Sequence, residues 1–540
     1  MADATADRAL VLGQMMDAVA YMAMSMRVAP SLHRAVLFAA GNVGEPLASR
    51  LRQLIVDVEL RKYDSLEDAF LDLARTYDPG NEEFQQALHA LRAAEMQLTP
   101  EGVDRALEHA TATLFEGVRQ RMREFADGLQ RPVFVLFSLG VVLPLMVGSM
   151  LPLISFGGAT GATWLAVVFM DVLFPLMFVI AARRVLARRP LVRRPLQIPL
   201  DGRRRALRLA AALGAGAALV ALGLLCGHVA TDCSEARAAL DSALADGSLA
   251  RMGAAERAAL ESRADAPDGS PLVALAVALG HLPVLWGVAA AFAVFYLPAL
   301  REPRARRDEV VAIEDRLPDA LFHLGSRIAD GAPLERALRG AADGMDGEPV
   351  AVVLRRVLVH LTLKRTSSTE ALFGREGALA GFPSDCVSAS LRTVVEMVRK
   401  DVSGAGRAIV GTANHLRDLR RVDRDMSSRL RPVTDMMQST ATVFAPVILG
   451  VTSALYLVIA RLAPTLPSSG TVAAAPVPAA TFALVLGTFV LALAAATMHF
   501  CARLTHGDDA IEARYRVARA MPLAVTVYTV ASVVGQAVVA

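Results

Sequence analysis

Asp171 is the residue whose type and surroundings most invite chemistry. It sits in the middle of a long apolar stretch, where a carboxylate is costly to hold and is often functional. One reading is a proton relay. The other is a carboxyl paired with a polar group on a neighbouring membrane helix, and it is favoured because a transporter is expected to carry more than one ionisable group at that depth. Elsewhere the reactive residue types lack the spacing that chemistry needs. Lysine occurs only at Lys62, Lys364 and Lys400, none of them in a GxxxxGK[ST] loop, so the backbone cradle and charge that hold nucleotide phosphates are missing. There is no GxSxG elbow and no HExxH, and the ten histidines are scattered. Cys226, Cys233, Cys386 and Cys501 form no CxxC and have no nearby histidine, which points to neither a zinc site nor a disulfide framework. No catalytic, cofactor-binding or metal-ligating residue is assigned, and the chain is expected not to be an enzyme.

The elements that hold these residues follow from composition. The 540-residue chain is 54% hydrophobic with a mean hydropathy of +0.42, more apolar surface than soluble cores of this size use, while its 20% of charged residues are segregated along the sequence. Seven stretches are long and apolar enough to cross a bilayer: 133–155, 161–182, 206–231, 271–299, 438–461, 476–503 and 519–540. The last carries Pro522, Thr526, Thr529 and Gln536, which a tail lying on the membrane would also explain. The first apolar stretch, 11–26, is interrupted by Gln14, Asp17 and Ser25 and reads as an amphipathic helix rather than a secretory signal.

Orientation follows from arginine, which is retained on the cytoplasmic side of a membrane segment. Residues 183–208 hold ten Arg against Asp201 alone and are expected inside; the loop 232–270 holds eight acids and four Arg and is expected outside. Arg301, Arg304, Arg306 and Arg307 follow the fourth segment, and 463–475 after the fifth carry no charge. The alternation predicts a multi-pass protein of the cell membrane with its N-terminus cytoplasmic and its C-terminus extracellular. The expected domains are a cytoplasmic helical domain at 1–131, two membrane helices at 132–182, an Arg-rich cytoplasmic loop at 183–205, two membrane helices with the acidic loop at 206–300, a second cytoplasmic helical domain at 301–436, and three membrane helices at 437–540.

Both cytoplasmic stretches read as helical throughout. Leu317, Leu321, Leu324 and Ile328 recur at helical spacing up to Asp330-Gly331, where glycine accepts the left-handed turn that ends a helix. Further helices are expected at 333–343, 349–365, 368–374 and 383–401. Gly404-Ala-Gly406 reads as a turn, followed by a long helix from about 407. Laying 1–155 over 302–455 exposes a repeat. Met16-Asp17-Ala18 falls on Pro318-Asp319-Ala320, Glu45-Pro46 on Glu348-Pro349, Leu51-Arg52 on Leu354-Arg355, Ser65-Leu66-Glu67 on Ser368-Thr369-Glu370, Phe70 on Phe373 and Arg131-Pro132 on Arg431-Pro432. The fold class expected is all-α: a polytopic membrane protein with two repeated cytoplasmic helical bundles and about seven transmembrane helices.

The run Leu317-Pro-Asp-Ala-Leu-Phe-His-Leu-Gly-Ser-Arg-Ile-Ala-Asp-Gly-Ala-Pro-Leu-Glu-Arg-Ala-Leu338, with Glu370-Ala-Leu-Phe373, the Gly404-Ala-Gly406 motif and the helix entering the fifth segment, resembles the F-type inner-membrane platform proteins of type II secretion, type IV pili and the archaellum. Met22 to Val36 is a weaker copy, and the likeness covers roughly 11–180 and 301–500. The paired domains, the Arg-rich inside loop and the acidic outside loop look most like the archaeal branch. Members of that branch commonly carry membrane helices ahead of their first cytoplasmic domain, and here that domain opens within the first residues.

The resemblance implies an assembly platform for an archaeal pilus, an archaellum or a type II secretion-like system. Its implied partners are a separate hexameric secretion ATPase, pilin or archaellin subunits and membrane lipids; a homo-oligomer is admitted, and nucleic acid is not expected. The residues expected to meet the ATPase are Arg355, Arg356, Arg365, Arg417, Arg420 and Arg421. Residues 1–131 hold 14 Lys+Arg and 20 Asp+Glu, a net of −6, and 301–432 hold 23 and 19, a net of +4. Opposite signs suit domains that pack together, or that offer distinct faces to partners. The competing class is a multi-pass transporter or channel with cytoplasmic regulatory domains.

Overall fold

The computed structural model describes residues 14–15, 17–27, 29–77, 82–156, 168–186, 205–246, 252–264, 270–363, 367–374, 377–400, 402–462, 479–507 and 509–539. Every regular element among them is a helix. Arg365, most of the Arg-rich loop 183–205, the linker 463–475 and the start of the second expected membrane segment lie outside the described residues. The chain divides into two compact units. The first comprises the described residues within Met1–Leu129 and Arg304–Leu430, and the second those within Gln130–Leu186, Pro199–Pro303 and Arg431–Ala540.

The first unit holds two series of helices. One runs α1 (17–27), α2 (Leu32–Asn42), α3 (Leu47–Glu59), α4 (Leu66–Tyr77), α5 (Glu82–Glu95) and α6 (Pro100–Phe137), which is followed by a π-helical turn at Ser138–Val142 and α7 (Leu143–Phe156). After α8 (Phe174–Leu186), α9 (Arg205–Ala245), α10 (Ala254–Ala264) and α11 (Pro271–Leu279), the second series begins within α12 (Leu282–Ala329). It continues as α13 (Leu334–Gly344), α14 (Pro349–Leu363), α15 (Ser368–Phe373), α16 (Asp385–Lys400) and α17 (Val402–Ser439), then a π-helical turn at Thr440–Phe444 and α18 (Ala445–Leu462). The chain ends in α19 (Ala479–His506) and α20 (Ala510–Val539). Helices α6 and α17 are each 38 residues long with a proline inside, Pro132 and Pro432, and each runs into a five-residue π turn.

The two series bury matching positions. Met15, Ala18, Val19, Met22 and Met26 are buried in the first, and Leu317, Ala320, Leu321, Leu324 and Ile328, each 302 residues on, in the second. Leu32, Ala35, Val36, Ala39 and Ala40 of α2 answer to Leu334, Ala337, Leu338, Ala341 and Ala342 of α13 in the same register. Capping adjusts one expected match. The Ser65 hydroxyl accepts from Asp68 N and the Ser367 hydroxyl from Glu370 N, each closing the first turn of its helix. Ser65 therefore stands opposite Ser367 rather than Ser368, and the buried Phe70 opposite the buried Leu372 rather than Phe373.

Two expectations are corrected. Gly404-Ala-Gly406 is no turn but lies inside α17, where a bare backbone is needed for close approach: a Cβ at Gly406 would collide with the Ala329 backbone, and one at Gly325 would lie 3.0 Å from Gly406 O. The expected segment 271–299 is broken at Gly280, whose φ of +49° ends α11 one residue before His281 and α12. The stretch 11–26, expected as an amphipathic helix, is helical where it is described, with a half-exposed stripe at Asp17, Tyr21 and Ser25 and its other described side chains up to Met26 buried. Its Ala20 and Met24 join the core of the second series, Asp17 lies 3.6 Å from His415, and buried Gln14 bridges Glu45 O and Leu47 N.

The two series are also joined by charge. Asp127 meets Arg429 at 2.9 Å, Asp425 meets Arg119 at 3.5 Å, and Asp104 lies between Arg27 at 3.5 Å and Arg407 at 3.9 Å. Positions 127 and 429 are themselves 302 apart, so this pair joins like points of the two series, as happens at a two-fold axis.

Six described helices are long and apolar enough to cross a membrane, within Asp127–Met150, Ala206–Leu244, Leu282–Ala329, Gly404–Ala460, Ala479–His506 and Ala510–Val538. The expected seventh, 161–182, is described only from Val168 onward. Helices of the second unit pack through small residues. Gly450 abuts Ala531 on α20 and Gly535 abuts Ala454 on α18, while Gly216 and Gly287 bring α9 against α12. Large apolar side chains such as Leu213 and Leu225 remain exposed, as lipid contact requires. In α17, Ser439 and Thr440 donate to Met436 O at 3.0 and 2.8 Å, and Thr442 donates to Gln438 O at 2.7 Å, satisfying carbonyls around the π turn.

Gly406→Val is expected to lower stability by about 1–3 kcal/mol, because backbone must move to admit its side chain. Gly41→Ala, in α2 with nothing within 4 Å of the added carbon, is expected to raise it by about 0.5–1 kcal/mol. Thermal melting of the detergent-solubilised chain checks both.

Candidate functional site

The charged residues singled out by the sequence converge on the α12–α17 pair in the first unit. Helical spacing puts Glu314, Asp315 and Asp319 along one side of α12, and Arg417 and Arg420 along the facing side of α17. Arg420 is buried, 8% exposed; it donates to Glu314 Oε2 at 2.8 Å and to Asp315 Oδ1. Ser384 donates to the other oxygen of Glu314 at 2.6 Å and accepts from Val387 N, so the cluster also fastens the start of α16. One turn away, Arg417 donates to Asp319 at 3.0 Å and to Asn414 at 3.2 Å, with its guanidinium 5.4 Å from the centre of the Phe322 ring.

Beside this pair opens a cleft of about 360 Å³ lined by Arg316, Asp319, Phe322, His323, Met345, Asp346, Glu348 and Arg417. Its charges are matched. Arg316 reaches Glu348 at 3.1 Å and Asp319 at 3.9 Å, and Arg355 of α14 reaches Asp346 at 2.6 Å. The hydrogen bond from Arg355 holds the Asp346 carboxyl below the usual carboxylate range. Paired charges around an aromatic ring suit recognition of a charged surface. Among the described residues no group of three or more His, Cys, Asp or Glu could hold a metal ion.

The arginines named from sequence thus separate. Arg356 and Arg421 are exposed, Arg421 lying 3.9 Å from Asp418; Arg417 lines the cleft and the exposed Arg355 pairs with its Asp346; Arg365 lies outside the described residues. Arg420 is corrected from a contact residue to an internal tie, since burial and two carboxylates leave it no outward face. The residues that sequence reasoning missed are Glu314, Asp315, Asp319 and Phe322. Their signal was the acid spacing on α12 matching the arginine spacing on α17.

In the second unit, Asp171 lies in a π-helical turn at Val168–Leu173, and the Thr488 hydroxyl of α19 approaches its Oδ2 at 2.9 Å. Its Oδ1 is shielded and meets no partner among the described residues. Of the cysteines, Cys226, Cys233 and Cys501 are buried and Cys386 is exposed, and none of the four is in a disulfide.

Helices throughout, six of them long and apolar, define a multi-pass membrane protein. Neither family models, nor curated proteins, nor solved structures include a match to this chain.

Arg420→Ala leaves Glu314 buried without its partner and is expected to cost about 3–5 kcal/mol. Arg417→Ala, at a half-exposed pair, is expected to cost about 1 kcal/mol or less. Arg420→Met with Glu314→Leu removes both buried charges and is expected to recover most of the loss, read by denaturant unfolding in detergent.

Proposed function

We propose that this chain is a membrane assembly platform for a type IV pilus-like filament or a type II secretion-like system, taking work from a separate cytoplasmic ATPase. The observation that carries the reading is the doubled helical series. Seven elements of the first series begin at 32, 47, 66, 82, 100, 138 and 143, and their counterparts at 334, 349, 368, 385, 402, 440 and 445. This supports a duplicated unit whose long last helix continues into an apolar one each time. Helices α6, α12 and α17 each contribute residues to both compact units, as a device that passes movement between an aqueous and a membrane part would need. The residues proposed to receive the ATPase are the outward arginines Arg355, Arg356 and Arg421.

The proposed topology has a cytoplasmic N-terminus and an extracellular C-terminus, motivated by the arginine asymmetry. Single cysteines at Ala250 and Ser468, in a chain whose exposed Cys386 is serine, are expected to label from outside; cysteines at Pro190 and Glu309 are not. Labelling at 190 from outside would overturn the topology. Arg356→Glu with Arg421→Glu is expected to lower co-purification of the cognate secretion ATPase at least tenfold and to abolish filaments, with membrane insertion unchanged. If no ATPase accompanies even the unmutated chain, the reading fails.

A further inference from the structure

The two series share more than their cores. In α3 the buried residues Leu47, Ala48, Leu51 and Leu54 correspond, 303 residues on, to Val350, Ala351, Leu354 and Val357 of α14, which are buried too. With the inward sides in register, the outward sides also match. Arg52 answers to Arg355, Gln53 to Arg356 and Val56 to Val359, all exposed, the valines at 50% and 48%. Each arginine is steadied by an acid preceding its helix: Arg52 by Glu45 at 2.7 Å, Arg355 by Asp346 at 2.6 Å. The exposed Val352 enlarges the second face.

The first face runs against its surroundings. Residues 1–131 carry a net charge of −6, yet the outward side of α3 presents Arg52 one turn before Val56. Helix α14 holds no acid at all. An arginine that flanks an exposed valine complements a carboxylate beside an apolar edge. Two such faces on one chain, whose series meet through the like positions Asp127 and Arg429, complement a partner that offers the same surface twice.

We propose that the outward faces of α3 and α14 are two quasi-equivalent docking sites, which engage two copies of one acidic, apolar-edged protein surface in a symmetric oligomer. This deepens the platform reading and rests on it for the identity of the oligomer as the ATPase. Binding through both faces makes the second contact intramolecular, so losing either face weakens the whole more than one face binds alone.

The test places a photo-cross-linking amino acid at Val56, and separately at Val359, in the full chain in its native membrane. Both positions are expected to capture the same polypeptide. Arg52→Glu is expected to remove capture at 56 and Arg355→Glu capture at 359, each lowering partner retention about tenfold and the pair by on the order of 10². If either reversal lowers the melting temperature, Val56→Asp and Val359→Asp take its place in the chain without the cross-linker, read by partner retention, and unchanged retention would overturn the proposal. Different proteins at the two positions, capture at one alone, or adducts of lipid only would overturn the proposal. If one protein other than an ATPase is captured at both, the paired faces stand and the platform reading falls.

Discussion

The Arg420 guanidinium, enclosed between Glu314 and Asp315, is the interaction on which the first unit turns. A buried ion pair contributes little by itself, because desolvation offsets most of the attraction, but breaking it strands a charge away from water. It therefore acts less as glue than as a lock on register. With Arg420 opposite Glu314, Arg417 must fall opposite Asp319, and Gly325 must reach Gly406 where two backbones can touch. A slide of one turn would part Gly406 from Ala329 and set larger side chains against that backbone. The cleft beside Phe322 exists because that register is fixed.

The opposite charges of the two series find their use inside the unit. Among the cross-series contacts, Asp17 with His415, Asp104 with Arg407 and Asp127 with Arg429 each set an acid of the first against a base of the second, and Arg119 with Asp425 runs the other way. Where the first series has the ion pair Arg27–Asp104, the second has Ala329 against Gly406, 302 residues on in both members. One side closes that gap with charge and the other by bringing backbones together.

Much of this was legible in the residues themselves. Helices expected at 333–343 and 383–401 run Leu334–Gly344 and Asp385–Lys400, since an apolar period and a capping residue are local signals. What could not be read was who stands opposite whom. Gly404-Ala-Gly406 looks like a turn because glycine serves turns and close helix contacts alike, and only the presence of Ala329 decides. Gln14 made the start of α1 look solvated, although its partners are Glu45 and Leu47 rather than water. Arg420 had the same spacing as its exposed neighbours, and its burial depends on acids more than 100 residues away.

The π turns after α6 and α17 carry a consequence for how such helices change over time. An α-helix advances about 100° per residue, so one residue wound into a wider turn rotates everything beyond it by that angle while the chain stays hydrogen-bonded. In hydrocarbon an ordinary insertion would expose backbone carbonyls, but here hydroxyls on Ser439, Thr440 and Thr442 already cover Met436 O and Gln438 O. The turn after α17 is thus a place where a single codon gained or lost can re-aim a whole membrane helix without breaking it.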